Sequence, residues 1–236
     1  MILTLFFTLC SCKNNPIETG EMYASLPTPK TQIAHEPLSH YGNPSTYHEK
    51  GEKYQVLTSA QGYKAQGTAS WYGPDFHKHR TSSGEPYNMY ALTAAHKTLP
   101  LPTYVRVKNL ENGQETVVKV NDRGPFHGDR VIDLSYAAAK KLGVIEKGTA
   151  PVEIVAIGTP PKANYYLQAG AFSTAKRAKA LKYKLLSSNF NTTVNVEQRD
   201  NKFIVNLGPI ANKQQSDLFK AKLKTHGILN AFSFLR

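Results

Sequence analysis

The segment NDRGPFHGDRVIDLS, at residues 121–135, carries more information about this chain than any other stretch. It lies between two β-like runs, YVRVKNL at residues 104–110 and PVEIVAI at residues 151–157. It is dense in charged side chains, which are Asp122, Arg123, Asp129, Arg130 and Asp133. Because catalytic groups are often carried on loops that a rigid sheet holds in place, the segment predicts acid or base chemistry.

A second segment of the same kind lies upstream at residues 71–100, WYGPDFHKHRTSSGEPYNMYALTAAHKTLP. It contains a carboxylate, Glu85, an imidazole, His96, and two adjacent aromatic residues, Trp71 and Tyr72. Aromatic rings offer flat apolar faces to sugars, and carboxylates cleave glycosidic bonds. The two segments together predict an enzyme that acts on a polysaccharide.

The chain has 236 residues, enough for one or two domains, and its net charge is +12. Residues 164–236 hold 12 Lys or Arg against 3 Asp or Glu, whereas residues 1–163 hold 17 against 14. This basic C-terminal part indicates either an anionic partner or a solvated, lysine-rich helix face. The sequence has no GxxG clamp, zinc-finger spacing or usual ribonucleoprotein aromatic motif, so no nucleic acid partner is predicted.

Both cysteines, Cys10 and Cys12, lie near the start, so no disulfide, Cys-ligated zinc or cysteine nucleophile is expected in the folded part. The apolar run ILTLFFTL is typical of a secretory signal, and LCSC at residues 9–12 matches a bacterial lipobox. Residues 1–12 are therefore predicted to be a lipoprotein signal peptide that ends at Cys12, the lipidation site and membrane anchor. The Pro-, Ser- and Thr-rich residues 13–66 predict a disordered tether.

Residues 67–158 consist of short strand-like runs broken by Gly and Pro turns, which predicts a small β-barrel with one or two short helices. ENGQ at residues 111–114 predicts a hairpin turn, because Asn-Gly readily takes positive φ. One helix is predicted at residues 136–142, with Ser135 as its N-cap and Gly143 at its end.

The predicted C-terminal domain begins after a short Pro-rich linker at residues 159–163. Residues 164–236 follow the order strand, helix, strand, strand, helix, strand, with amphipathic helices predicted at residues 174–188 and 214–225. This order predicts a ferredoxin-like βαββαβ arrangement.

Several motifs within residues 67–158 resemble the rare lipoprotein A family of bacterial cell-envelope proteins: GTASWYG, TSSGE, LTAAHKTLP, NDRGPF and RVIDLS. The resemblance implies a six-stranded double-psi β-barrel, a fold shared with expansins. YYLQAGAFS at residues 165–173 and NLGP at residues 206–209 resemble a SPOR domain. Residues 67–158 would then be the catalytic domain and residues 164–236 a peptidoglycan-binding SPOR domain.

The resemblance implies a lytic transglycosylase, a lyase that cleaves bonds between N-acetylmuramic acid and N-acetylglucosamine and leaves 1,6-anhydro ends. The expected substrate is peptide-free peptidoglycan strands, cleaved during wall remodelling and daughter-cell separation. The matching catalytic positions are Glu85, His96 and Asp122. Asp122 is expected to act as general acid and base. Glu85 would stabilise the oxocarbenium ion or share a proton with Asp122, and His96 would hydrogen-bond one carboxylate.

Further residues are predicted to contact the glycan, namely Trp71, Tyr72, Arg123, Gln168 and Phe172. The last two would lie on the glycan-facing sheet of the SPOR domain. A structural role is the alternative for the site residues: a turn with an internal ion pair for Asp122, a plain turn for Glu85, a structural histidine for His96 and core packing for the adjacent aromatic pair. Asp133 is predicted to be structural, bonded to backbone groups near the helix cap.

The alternative function is a non-catalytic, expansin-like peptidoglycan-binding protein, and the sequence does not separate a transglycosylase from a hydrolytic glycosidase. No cofactor is expected, and no metal site, because histidines with partners at ligand spacing are missing. The expected location is the periplasmic face of the outer membrane, with enrichment at the division septum and division proteins as possible partners.

Overall fold

The structure is a computed structural model that describes residues 36–158 and 162–236, which fall in one compact unit. The predicted signal peptide, Cys12 and the first part of the predicted tether lie outside the described residues. Within these two described ranges, no helix combines the length and the apolar character needed to cross a bilayer.

The first described range holds a closed barrel and a hairpin that precedes it. The strands are β1 (Thr46–Glu49), β2 (Glu52–Gln55), β3 (Lys64–Trp71), β4 (Thr93–Ala95), β5 (Thr103–Asn109), β6 (Glu115–Asp122), β7 (Arg130–Leu134) and β8 (Thr149–Gly158). A 3₁₀ turn, Pro74–Phe76, follows β3, and helix α1 (Tyr136–Lys141) follows β7. Strands β3 to β8 close in the order β3-β7-β4-β6-β5-β8, so the predicted six-stranded barrel is confirmed.

The barrel core is built from the alternation of apolar and polar residues along each strand. On β5, Val105 and Val107 are fully buried, and on β7, Ile132 and Leu134 are fully buried. Each such side chain contributes roughly 1.5–3 kcal/mol relative to an exposed one. Residues between these buried positions point to the other face, and this places several charged side chains of β6 and β7 outside the core.

The local sequence predictions for the barrel are also confirmed. Gly113 takes a φ of +74° in the turn between β5 and β6. Ser135 Oγ accepts a hydrogen bond from the Ala138 amide at 3.2 Å and caps α1. Gly143, with a φ of +68°, lies just beyond the end of that helix.

The second described range forms an antiparallel sheet covered by two helices. Its elements are β9 (Tyr165–Phe172), α2 (Ala175–Leu186), β10 (Val194–Arg199), β11 (Lys202–Ile210), α3 (Lys213–Thr225) and β12 (Phe232–Leu235). The sheet order is β10-β11-β9-β12, and the βαββαβ prediction is confirmed. Buried leucines from strands and helices fill the space between the layers, among them Leu167, Leu185, Leu207 and Leu223.

Residues 36–57, which we call the strap, differ from the prediction of a disordered tether. Their backbone pairs with β12: Asn43 O accepts from the Leu235 amide at 2.8 Å, and the Ser45 amide donates to Ser233 O at 2.9 Å. Pro44 lies between these two bonded positions, where no N–H donor is required. A proline-rich composition is therefore compatible with an ordered edge segment here, and this is why composition alone mispredicted it.

Candidate active site

Asp122, the last residue of β6, has a carboxylate that is fixed by three donors. Its Oδ1 accepts hydrogen bonds from the Ser82 amide at 2.8 Å, the Ser82 hydroxyl at 2.6 Å and the Arg123 amide at 2.7 Å. No donor to Oδ2 is found among the described residues. The TSSGE loop thus holds one carboxylate oxygen and leaves the other for a ligand.

Asp122 lies in an open groove of about 280 Å³, which we call the Asp122 groove. Its walls combine aromatic, basic and acidic side chains, which include Lys50, Tyr72, Phe126, His127, Arg130 and Asp133. Flat apolar walls with a few fixed polar groups suit a sugar ring. Asp122 therefore borders an open groove and not the apolar barrel core.

Glu85 lies on the same loop but not among the residues that line the Asp122 groove. Its two oxygens accept hydrogen bonds from Lys119 Nζ at 2.8 Å and Asn121 Nδ2 at 2.9 Å. Burial raises the pKa of the Glu85 carboxyl, but the hydrogen bonds from Asn121 and Lys119 outweigh it and leave that pKa below its usual value. Glu85 lines a larger cavity of about 730 Å³ together with strap residues. Among the described hydrogen bonds, none supports a proton shared between Glu85 and Asp122.

His96 is buried, and both of its ring nitrogens are occupied. Nε2 lies 3.0 Å from the Tyr63 hydroxyl, and Nδ1 accepts from the amides of Thr98 and Leu99, each at 3.1 Å. The predicted hydrogen bond to a carboxylate is therefore wrong for this structure. Burial, with the nearby charges of Arg123 and Lys97, lowers the pKa of His96 to about 3. The ring is neutral, and it fixes the turn after β4.

This neutral ring makes a prediction about pH. Between about pH 6.5 and 3 the unfolded chain binds a proton at His96 that the folded chain refuses, so the free energy of unfolding falls as the pH is lowered, by about 1.4 kcal/mol per pH unit. His96→Asn keeps an acceptor for the two amides and is expected to flatten this dependence. Urea unfolding between about pH 4.5 and 7 measures it. His48→Asn, a change at an exposed site on β1, should leave the slope as in wild type.

Arg123 was predicted to bind substrate, but its guanidinium is used inside the protein. Nε and Nη2 donate to Gly42 O at 2.9 and 2.7 Å, and Nη1 donates to Leu99 O at 2.5 Å and His96 O at 3.2 Å. Nη2 also reaches Asn43 Oδ1 at 3.2 Å. Burial lowers the pKa of Arg123 to about 10. The side chain therefore fastens the strap to the barrel, and its sequence neighbours gave no sign of this.

The two adjacent aromatic residues at the end of β3 have different surroundings. Trp71 packs on the barrel core, with its ring 5.9 Å from that of Tyr136, as in the structural alternative. Tyr72 lines the Asp122 groove and packs against Tyr87, with ring centroids 4.2 Å apart. Of this pair, only Tyr72 lies where it can contact a ligand in the groove.

The two predicted contacts in the SPOR-like sheet are also separated. Gln168 lines a small pocket of about 150 Å³ together with strap residues 40–44, so the strap covers part of its face. Phe172 lies on the other face, because a bulge between Val205 and Asn206 shifts the register. An added Cβ at Gly170 would meet both the Phe172 ring and Leu181 of α2. The predicted position of Phe172 on the glycan-facing sheet is therefore wrong.

Asp133 was predicted to bond to backbone groups near the helix cap. That prediction is wrong, because its partners are side chains. Its Oδ1 accepts from Ser70 Oγ at 2.6 Å, and Oδ2 lies 3.5 Å from Arg130 Nη2. It lines the Asp122 groove. Alternation could have revealed this, because Asp133 stands between the buried Ile132 and Leu134 and must point away from the core. No cluster of three or more His, Cys, Asp or Glu with metal-binding geometry occurs within residues 36–158 and 162–236.

Comparisons with known proteins agree with this architecture. Residues 64–154 match the DPBB_1 family, described as lytic transglycolase, and residues 161–233 match the SPOR domain. The chain is 41% identical over 209 residues to the endolytic peptidoglycan transglycosylase RlpA of Vibrio cholerae, covering 84% of this chain and 79% of that protein. It is 41% identical over 196 residues to the protein of the same name from Neisseria meningitidis serogroup A, covering 79% and 81%.

A solved structure of an expansin from Clavibacter michiganensis aligns with 64% of this chain and 81% of its own length, at 15% identity and a TM-score of 0.33. That similarity is too low to bear on function. The family matches instead define the class, a double-psi β-barrel protein of the lytic transglycolase type with a C-terminal SPOR domain. The chain belongs to the family of the endolytic peptidoglycan transglycosylase RlpA, the rare lipoprotein A family that the sequence motifs indicated.

Proposed function

We propose that this protein is an endolytic peptidoglycan transglycosylase. The observation that carries the proposal is the Asp122 carboxylate, held by three donors beside an open groove, in a chain whose relatives bear that name. Such a reaction needs a proton for the bridging oxygen and negative charge near the anomeric carbon. Asp122 supplies a reacting carboxyl.

The other two predicted catalytic residues act on the position of Asp122 in this proposal. Glu85 accepts from the side chain of Asn121, the preceding residue of β6. The His96 ring accepts from the amides of Thr98 and Leu99 and fixes the turn after β4, the strand that pairs with Asp122 through Ala95. Because a misplacement of about 1 Å costs a large factor in rate, removing either residue lowers activity without removing a reacting group.

We further propose that the substrate is the peptide-free glycan strand, in which the lactyl carboxylate of N-acetylmuramic acid is free. Lys50 lies at the tip of the β1–β2 hairpin, its Nζ 2.6 Å from His127 Nε2, and both side chains line the Asp122 groove. Lys50 takes part in no ion pair between described residues. A cation at the rim attracts the free lactyl carboxylate, and this attraction is lost where that carboxyl is joined to a stem peptide as a neutral amide.

This substrate preference predicts the behaviour of Lys50→Gln. We expect the rate on peptide-free strands to fall three- to tenfold, about 0.7–1.4 kcal/mol, a modest loss because the site is exposed and screened by salt. The rate on strands that keep their stem peptides should change little. Rates on the two substrates at low salt give the ratio. Lys53→Gln, on β2 of the same hairpin, is the matched control. An unchanged ratio would remove Lys50 from substrate selection.

The proposed setting is the cell envelope. The lipobox supports a lipoprotein anchored through Cys12, and the SPOR match supports attachment to glycan strands. We propose the periplasmic face of the outer membrane, enrichment at the septum and contact with division proteins.

The test is incubation of the purified chain with peptide-free glycan strands, followed by mass spectrometry of the products. Strands with 1,6-anhydro ends are the expected result. Reducing ends would indicate a hydrolase. Binding of strands with no cleavage at all would favour the expansin-like alternative.

A further inference from the structure

The register of the barrel places two aspartates on either side of one alanine. Ala95 on β4 pairs with Asp122 on β6 and with Asp133 on β7. Neighbouring strands lie about 4.8 Å apart, so the two aspartate backbones are separated by about 10 Å. Both side chains line the Asp122 groove, and Ala95 between them adds only a methyl group. Both carboxyls therefore border one groove, with only the small side chain of Ala95 at the strand position between them.

From this geometry we propose that Asp133 is a second catalytic carboxyl and that it, rather than Asp122, carries the proton; this rests on the proposed transglycosylase function. Asp133 donates its proton to the bridging oxygen as the bond from the anomeric carbon to that oxygen breaks, and the electron pair leaves with the oxygen. The Asp122 carboxylate faces the resulting oxocarbenium ion. The oxygen of the sugar's own 6-hydroxyl then bonds to the anomeric carbon, and the Asp133 carboxylate takes the proton of that hydroxyl. The proton returns to Asp133, and no water is consumed.

The hydrogen bonds of the two carboxyls support this division of roles. Three donors converge on Asp122 Oδ1 and compensate a negative charge there. Asp133 has one short hydrogen bond, from Ser70, and a longer contact of 3.5 Å with Arg130. Arg130 is itself shared, because its Nη1 donates to Ser70 Oγ at 2.7 Å. Asp133 thus accepts fewer close hydrogen bonds than Asp122 does.

The electrostatic surroundings of Asp133 agree with an acid. Burial raises the pKa of Asp133 above its usual value, although the Ser70 hydrogen bond and the positive charges of Arg130, His127 and Lys97 oppose the rise. Across Ala95, the charged group that faces Asp133 is Asp122. Glu85, by contrast, has a lowered pKa and lines a different cavity, so it is unsuited to deliver a proton here.

Tyr72 lines the Asp122 groove together with the two aspartates. Burial raises the pKa of the Tyr72 hydroxyl, and the charges of Tyr87, Asp122 and Asp133 raise it further. The Tyr72 hydroxyl therefore stays protonated, and because its oxygen is buried, it is the ring that Tyr72 contributes to the wall of the groove.

The decisive variant is Asp133→Asn in the whole chain. We expect at least a 100-fold loss of kcat on peptide-free strands, with unchanged binding of strands and an unchanged unfolding midpoint. Asp129→Asn is the matched control, since Asp129 is an exposed residue of the same segment and is absent from the lining of the described groove. If Asp133→Asn keeps more than half of the wild-type rate, the proposal is overturned.

Ser70→Ala decides the question if Asp133→Asn does not fold. Removing this hydrogen bond raises the pKa of Asp133, so an enzyme that needs Asp133 protonated should keep its kcat to higher pH, with its KM unchanged. If the alkaline limb of the kcat–pH profile is the same in Ser70→Ala as in wild type, the proposal is overturned. If the wild-type chain gives no anhydro-ended products, the proposed function itself fails and this inference with it, whereas active wild type with fully active variants overturns the role of Asp133 alone.

Discussion

Asp122→Asn is expected to lower the turnover of peptide-free glycan strands by about 100- to 10,000-fold while the fold is kept. The amide retains an oxygen that accepts from the Ser82 amide and hydroxyl and from the Arg123 amide, so the TSSGE loop stays in place. What is lost is the negative charge beside the anomeric carbon. The measurement is the time course of anhydro-ended strands by mass spectrometry.

Glu115→Gln provides the control for this variant. Glu115 is the first residue of the same strand, β6, with its side chain about half exposed and far along the strand from Asp122. Its neutralisation should leave the rate within twofold of wild type. If Asp122→Asn also retained more than half of the activity while both variants bound strands normally, Asp122 would have no part in the chemistry and a binding role would be favoured.

The sequence predicts best what depends on neighbours in the chain. The alternation of β5 and β6, the Asn-Gly turn between them and the Ser135 cap are local features, and each has the expected form.

Features that depend on pairing between distant strands were not predictable in the same way. Asp122 and Asp133 are brought to one groove by β4, through Ala95, and nothing in a spacing of eleven residues specifies that register. Phe172 was assigned to the wrong face because a bulge, which alternation does not reveal, shifts the pairing of β9 with β11. The motif residues Arg123 and His96 were assigned chemical roles, yet the structure uses both to satisfy backbone groups.

Arg123→Met is expected to destabilise the protein by about 3–5 kcal/mol. The guanidinium donates to the carbonyls of Gly42, His96 and Leu99, and the apolar side chain fills much of the same volume but leaves these acceptors without a donor. Because native domains are stable by only about 5–15 kcal/mol, this is a large share of the total. Urea unfolding followed by the fluorescence of the single tryptophan, Trp71, measures it.

Arg106→Met is the matched control for this loss. Arg106 lies on β5 with its side chain 46% exposed, and its recorded ion pair, with Glu115, is long at 4.0 Å. Its replacement should change the free energy of unfolding by less than about 0.5 kcal/mol. Arg123→Lys should resemble Arg123→Met, because a single ammonium cannot reach carbonyls on both the strap and the barrel. A cost below about 1 kcal/mol for Arg123→Met would mean that the strap is held without this side chain, and that water replaces its hydrogen bonds.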